Sequence, residues 1–157
     1  MADPKTARKI AMEYSFEKNF GGIPEVSNPL TEKDKLLMLR ICSENGLEFE
    51  DLQETGRRPT SEEQITNHSF STSTDIYLGL YEDRELKIAS FFHELGHCLD
   101  SKDLVEKNTE KYPGVYQQEA NAWCRGFEES GKYGFSFKGE TLAWCFNQLK
   151  TYEKYVS

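Results

Sequence analysis

Apolar residues recur with helical spacing in five stretches of the chain, and residues that typically start or end a helix bound these stretches. Thr31 and Asp34 are spaced as in a capping box at the start of the second stretch. Asn45-Gly46 follows the last apolar position of that stretch and is typical of a helix end. The pattern predicts helices over residues 4–19, 32–44, 84–101, 115–130 and 139–155.

Strand signals lie mainly between the second and third helices. Residues 65–80 are rich in Thr, Ser, Phe, Ile and Tyr, which suits strands. Within this stretch, residues 74–80 form the strongest predicted strand, and a second strand around residues 65–72 could pair with it. Residues 132–138 alternate aromatic with other residues and also predict a short strand, whereas residues 47–63 give no clear pattern. Together these elements predict an α+β fold, in which a small, mostly antiparallel sheet packs on the third helix and several helices surround it.

The length of the chain favours one domain. A chain of 157 residues can bury about two thirds of its unfolded surface, and neither a repeat nor a linker divides it. We therefore predict a single domain over residues 1–157. Its predicted parts are a helical N-terminal portion at 1–46, a central core at 65–130 and a C-terminal helical portion at 131–157.

Composition excludes several classes of function. The formal net charge of -8, with Lys and Arg scattered along the chain, argues against direct binding of nucleic acid. An apolar stretch of 18 residues, which a membrane span requires, does not occur. The first residues lack the apolar region of an export signal, so we predict a cytoplasmic protein with reduced, mostly buried cysteines. These cysteines are Cys42, Cys98, Cys124 and Cys145.

The third predicted helix carries the main candidate for chemistry, the pentapeptide His93-Glu94-Leu95-Gly96-His97. Two histidines four residues apart lie on one face of a helix, so both imidazoles can bind the same ion. Glu94 follows the first histidine and can reach a water at that ion. The remaining positions of this helix are mostly apolar, which indicates burial, and buried polar side chains without partners are costly. A zinc site therefore explains the pattern better than a pair of solvent-satisfied surface histidines.

A catalytic zinc usually has three protein ligands and one open position for water. Glu119 lies 22 residues after His97 on the next predicted helix and could reach the ion. Glu110, Glu128 and Asp100 are alternative third ligands, although Asp100 is better interpreted as a supporting or capping acid.

HExxH followed by a glutamate on a neighbouring helix resembles the gluzincin metallopeptidases. Within that group, His93–His97 with the downstream Glu119-Ala120-Asn121 looks like the ImmA/IrrE-type peptidase domain, over about residues 72–125. The sequence departs from the family at Trp123-Cys124, where Phe-Ala is typical, and Trp123 also replaces an aspartate found in many gluzincins. The resemblance implies an intracellular zinc peptidase that cleaves a specific protein, such as a transcriptional repressor.

The resemblance also implies a mechanism. Zinc held by His93, His97 and Glu119 would lower the pKa of a water, and Glu94 would accept the proton of that water and pass it to the leaving amine. In zincins the strand before the metal helix, here residues 74–80, can pair with an extended substrate along its edge. Candidates for contacts to the oxyanion or the substrate are Tyr112, Tyr116, His68 and Arg125.

Two other functions compete with a peptidase. A non-proteolytic regulator or inhibitor could keep the zinc fold and bind a partner protein, and it would need both histidines but not Glu94. A purely structural zinc site is disfavoured, because such a site generally has four protein ligands and no use for Glu94. The sequence alone identifies neither the substrate nor the oligomeric state.

Overall fold

The structure is a computed structural model that describes residues 29–55, 69–79, 81, 83–106 and 114–155. Over these residues the chain has an α+β fold, as predicted, with helices dominating and three short strands in one sheet. The predicted helix at 4–19 and the candidate residues His68, Glu110 and Tyr112 lie outside the described residues.

Helix α1 spans Glu32–Glu44, the bounds predicted from the sequence. A capping box closes its first turn: the N–H of Asp34 donates to Oγ1 of Thr31 at 3.1 Å, and the N–H of Thr31 donates to Oδ2 of Asp34 at 2.9 Å. The Asp34 carboxylate also accepts hydrogen bonds of 2.6 and 2.8 Å from the guanidinium of Arg84. This bidentate pair anchors α1 to the start of the helix that carries the histidines.

The sheet consists of β1 (Glu48–Asp51), β2 (Phe70–Ser71) and β3 (Asp75–Leu78), and the single-turn helix α2 (Leu52–Thr55) follows β1. The strand order is β1-β3-β2. β1 pairs with β3 in parallel over four residues, whereas β2 pairs with β3 antiparallel over two. The prediction of a mostly antiparallel sheet was therefore wrong: the described sheet is mixed, because residues that gave no clear pattern supply the parallel strand.

The central position of β3 corrects a second expectation. The strand predicted at 74–80 was expected to offer an edge to an extended substrate. Instead, β1 occupies one side of β3 and β2 the other, so the main-chain groups of β3 pair within the protein.

Helix α3 spans Arg84–Glu106 and continues beyond the predicted end at residue 101. It packs on the sheet, where the ring of Phe91 meets that of Phe49 in β1 edge to face, with centroids 5.5 Å apart. The buried pair of Lys87 and Asp51 also joins α3 to the end of β1, with Nζ 2.9 and 3.2 Å from the two carboxylate oxygens. The core between α1, the sheet and α3 includes Met38, Ile41, Ile76, Leu78, Ile88, Phe91, Phe92 and Leu95.

Helix α4 spans Val115–Lys132, and α5 spans Gly139–Lys150 with a 3-10 turn at Glu153–Tyr155 after it. The strand predicted at 132–138 was wrong, since Lys132 ends α4 and residues 133–138 are a turn followed by irregular chain. Its aromatic residues pack against the buried cores instead, which satisfies their apolar surface without strand pairing. These aromatic residues are Tyr133, Phe135 and Phe137.

All four cysteines are free thiols, as expected for reduced residues. Cys42 and Cys145 are buried, and burial raises the pKa of each thiol to about 12. Cys98 is half-buried against the main core, and the exposed Cys124 is the exception among thiols predicted to be mostly buried. Within the described part of the chain, no helix combines the length and apolar character needed to cross a membrane.

Candidate metal centre

Two glycines bring α3 and α4 into close contact around the histidines. A Cβ atom on Gly96 would lie less than 3.0 Å from the carbonyl oxygen of Ala122. A Cβ atom on Gly126 would lie 2.6 Å from the carbonyl oxygen of Phe92. Each helix therefore presents a glycine to the backbone of the other, and this close approach places Glu119 of α4 opposite the histidines of α3.

The side chains of His93, His97 and Glu119 converge on one point. The Nε2 atoms of the two histidines are 3.1 Å apart, and Oε2 of Glu119 lies 2.9 Å from Nε2 of His93 and 3.0 Å from Nε2 of His97. His93 and Glu119 are buried, and His97 is half-buried. Among the described residues, these three form the group of His, Cys, Asp or Glu side chains that could hold a metal ion.

The donor set fits a catalytic zinc. Two imidazole nitrogens and one carboxylate oxygen are the ligands that zinc takes in such sites, and a fourth position then remains for water. Ligand atoms around a tetrahedral zinc with bonds of about 2.0–2.1 Å lie about 3.3 Å apart, close to the separations here. Three such atoms within 3.1 Å of one another repel unless a cation or shared protons lie between them.

Electrostatics at Glu119 favour the ionised ligand. Burial by itself raises the pKa of this carboxyl, because the charged form loses its hydration. The charge of His97 and hydrogen bonds from both imidazoles oppose that effect, and the pKa is held well below its ordinary range. Without a metal, these contacts therefore favour the carboxylate form of Glu119, which is also the form that coordinates a metal.

Glu94 lies beside the metal ligands in the sequence and is buried, with 3% of its surface exposed. The hydroxyl of Ser71 in β2 donates a 2.8 Å hydrogen bond to Oε1 of Glu94. This bond ties the candidate general base to the sheet and restricts its side-chain rotation.

The other candidates lie in different surroundings. The guanidinium of Arg125 pairs with the carboxylates of Asp100 and Asp103, so these charges are engaged with each other. Glu128 is exposed on α4, and neither it nor Asp100 belongs to the described group that could hold a metal. Tyr116 packs beside Val115 and Tyr152, and its predicted contact with substrate stays a prediction.

Sequence reasoning missed two residues of the site. The indole of Trp123 stacks on the imidazole of His93, with ring centroids 3.9 Å apart and an interplanar angle of 28°. Trp123 lies four residues after Glu119, one helical turn along the same face, and this spacing was the available signal. Ser71 gave no such signal, because its contact with Glu94 depends on how the sheet packs against α3.

The candidate metal centre thus combines three converging donors, a buried glutamate that accepts a hydrogen bond from Ser71, and a tryptophan ring stacked on His93. No protein-family model, curated protein or solved structure matches this chain.

Proposed function

We propose that this protein is a zinc-dependent metallopeptidase that hydrolyses a peptide bond in a specific protein partner. The observation that carries the proposal is the convergence of Nε2 of His93, Nε2 of His97 and Oε2 of Glu119, with Glu94 adjacent on the same helix. A purely structural site would generally use a fourth protein ligand and would not need a buried glutamate beside the ligands.

Each residue of the site would have a separate role in hydrolysis. His93, His97 and Glu119 would hold zinc, which when bound acidifies a water molecule and polarises the scissile carbonyl. Glu94 would accept the proton of the attacking water and donate it to the leaving amine. Ser71 would keep the Glu94 carboxylate oriented, since its hydroxyl donates to Oε1 of that carboxylate.

Glu94→Gln separates a peptidase from a protein that only binds a partner. Glutamine has the shape of glutamate and can still accept the hydrogen bond from Ser71, but it cannot accept a proton from water. Zinc content should therefore match that of the wild type, while hydrolysis should fall by about 10²–10⁴. Glu128→Gln is the matched control, because Glu128 is exposed on α4.

The substrate for this test is a proteome-derived peptide library with blocked amino groups, in which each cut creates one new α-amine. Wild-type and Glu128→Gln proteins should create the same set of new termini, and Glu94→Gln should create almost none. Equal cleavage by all three proteins would refute the role of Glu94. A wild type that holds zinc yet cuts neither the library nor a native cell extract would instead favour the non-proteolytic binding protein.

A further inference from the structure

Trp123 and His93 form an unusually close ring pair within the candidate metal centre. Their centroids are 3.9 Å apart and their planes are inclined by 28°, which is a stacked arrangement. Both residues are buried, with 7% of Trp123 and 8% of His93 exposed. The indole therefore covers one face of an imidazole whose Nε2 atom points at the other metal donors.

His93 lacks the contact that normally orients a metal-binding histidine. Such a histidine usually donates a hydrogen bond from its second ring nitrogen to a carboxylate, a backbone carbonyl or water. In the described structure, Nδ1 of His93 is buried and has no hydrogen-bond partner. Apart from the contact of Nε2 with Glu119, packing therefore determines the orientation of this ring.

The indole can supply that orientation because its own position is fixed. Trp123 stacks on Phe127 with centroids 5.8 Å apart, and it meets Trp144 edge to face at 6.4 Å. The same buried cluster includes Ala89 and Cys145. Residues of α3, α4 and α5 thus hold the indole of Trp123 in place, and the imidazole of His93 packs against that indole.

We infer that Trp123 is a positioning residue for metal binding, which it supports by stacking on His93 in place of a hydrogen bond. The inference rests on the metal-binding part of the proposed function. An imidazole that donates its lone pair to a metal becomes electron-poor, and the electron-rich face of indole attracts such a ring more strongly than a neutral one. The stack is therefore stronger in the metal-loaded protein, and it raises metal affinity as well as fixing the ring.

The test compares zinc affinity across three substitutions, measured by competition with a chromophoric chelator. Trp123→Phe keeps an aromatic face against His93 and should stay within about threefold of the wild type. Trp123→Leu keeps an apolar side chain, although a smaller one, and loses the aromatic face, so its dissociation constant should rise about tenfold. Phe127→Leu is the comparison variant, since it removes an aromatic ring that stacks on Trp123 rather than on His93, and its dissociation constant should rise by less than about threefold.

A spectroscopic measurement supplies a readout that general destabilisation would not produce. The sequence has two tryptophans, so Trp144→Phe leaves Trp123 as the only indole. Co²⁺ added to this variant should quench the tryptophan fluorescence strongly, because the indole touches a ligand of the metal. The visible absorption bands of bound Co²⁺ should shift in Trp123→Leu and keep their wild-type positions in Phe127→Leu.

Three results would overturn the inference. If Trp123→Leu binds zinc as tightly as Trp123→Phe, stacking does not contribute. If Phe127→Leu weakens binding as much as Trp123→Leu, general packing of the cluster explains the effect. In both cases wild-type zinc binding, and with it the proposed function, would stand. If the wild type itself binds no zinc, the inference and the metal-dependent function fail together.

Discussion

Ser71 and Glu94 are joined by a 2.8 Å hydrogen bond in which the serine hydroxyl donates to a carboxylate oxygen, although 23 residues separate them in the chain. Ser71 lies in β2 and Glu94 in α3, so the bond connects the sheet to the helix that carries the histidines. A hydrogen bond to a charged group contributes about 1.5–3 kcal/mol, enough to hold one side-chain orientation. The sheet therefore takes part in the candidate site although it supplies none of the described metal donors.

We expect Ser71→Ala to lower the rate of hydrolysis by about tenfold and to leave zinc content unchanged, because the variant loses the orientation of Glu94 but no ligand. Steady-state cleavage of a peptide identified in the library would measure the change in kcat. Ser73→Ala is a suitable control, since Ser73 is exposed in the turn between β2 and β3. An unchanged rate in Ser71→Ala would show that the hydrogen bond has no role in catalysis.

Glu119→Ala should reduce zinc occupancy from one ion per chain, because the site would lose its only described carboxylate donor. His93→Ala and His97→Ala should have the same effect. Dialysis against buffered zinc followed by metal analysis measures occupancy directly. Glu128→Ala, an exposed glutamate on the same helix, should bind zinc like the wild type. Full retention of zinc in Glu119→Ala would assign the third ligand to another residue.

Gly126→Ala should lower the free energy of unfolding by about 1–3 kcal/mol, because the new Cβ would lie 2.6 Å from the carbonyl oxygen of Phe92 and would force α3 and α4 apart. Thermal unfolding of the metal-free protein measures this effect. Gly131→Ala is the control on the same helix, where a Cβ meets no atom within 4 Å of the described structure. Alanine there should leave stability unchanged or raise it by up to about 1 kcal/mol. Equal effects at both positions would contradict the close helix contact.

The lowered pKa of Asp34 predicts that the stability of the protein depends on pH. The hydrogen bonds from Arg84 are the largest influence, and with help from Thr31 they hold the pKa of this carboxyl below its ordinary 3.8, although burial opposes them. A depressed folded-state pKa stabilises the protein fully above the unfolded-state pKa, and that stability is lost as the pH falls through the folded value. The stability difference between wild type and Asp34→Asn should therefore shrink as the pH drops below about 4.

Urea unfolding of metal-free protein between about pH 3 and pH 6 tests this expectation, and a chelator keeps zinc release from contributing. Glu44→Gln is the matched control on α1, because the ion pair of Glu44 with Arg40 is exposed and long, at 3.7 Å. That variant should show little pH-dependent difference. A stability difference for Asp34→Asn that stays constant with pH would show that the charge of Asp34 is not stabilising.

The sequence predicted the helices of the described region well, because each combines helical periodicity with recognisable ends. Thr31 and Asn45 mark the bounds of α1, and the spacing of Glu119 from His97 placed a third donor on the following helix. These features depend on residues close in the chain or on one well-defined helix face, and local physical chemistry determines them.

The sheet and the surroundings of the site were harder to predict. β1 has the sequence Glu-Phe-Glu-Asp, with one apolar residue, and it pairs with β3 only because tertiary packing places it there. The aromatic residues at 133–137 suggested a strand, yet partly buried aromatic residues pack equally well against the core from irregular chain. The contacts of Ser71 with Glu94 and of Trp123 with His93 join separate elements. Sequence spacing places Trp123 on the same helix face as Glu119, but both contacts depend on how α3 packs against the sheet and α4.

The close approach of α3 and α4 at Gly96 and Gly126 involves backbone atoms, among them the backbone nitrogen of His93, but not the side-chain donor atoms of the candidate metal centre. The two helices would therefore dock before a metal arrives, and little conformational entropy would remain to be lost when it binds. In the proposed zinc protein, the ion would then bind to a chain that is already folded, whereas a zinc finger folds only around its ion. Under the proposed zinc-dependent function, the fraction of active molecules would then depend on the supply of free zinc rather than on the rate of folding.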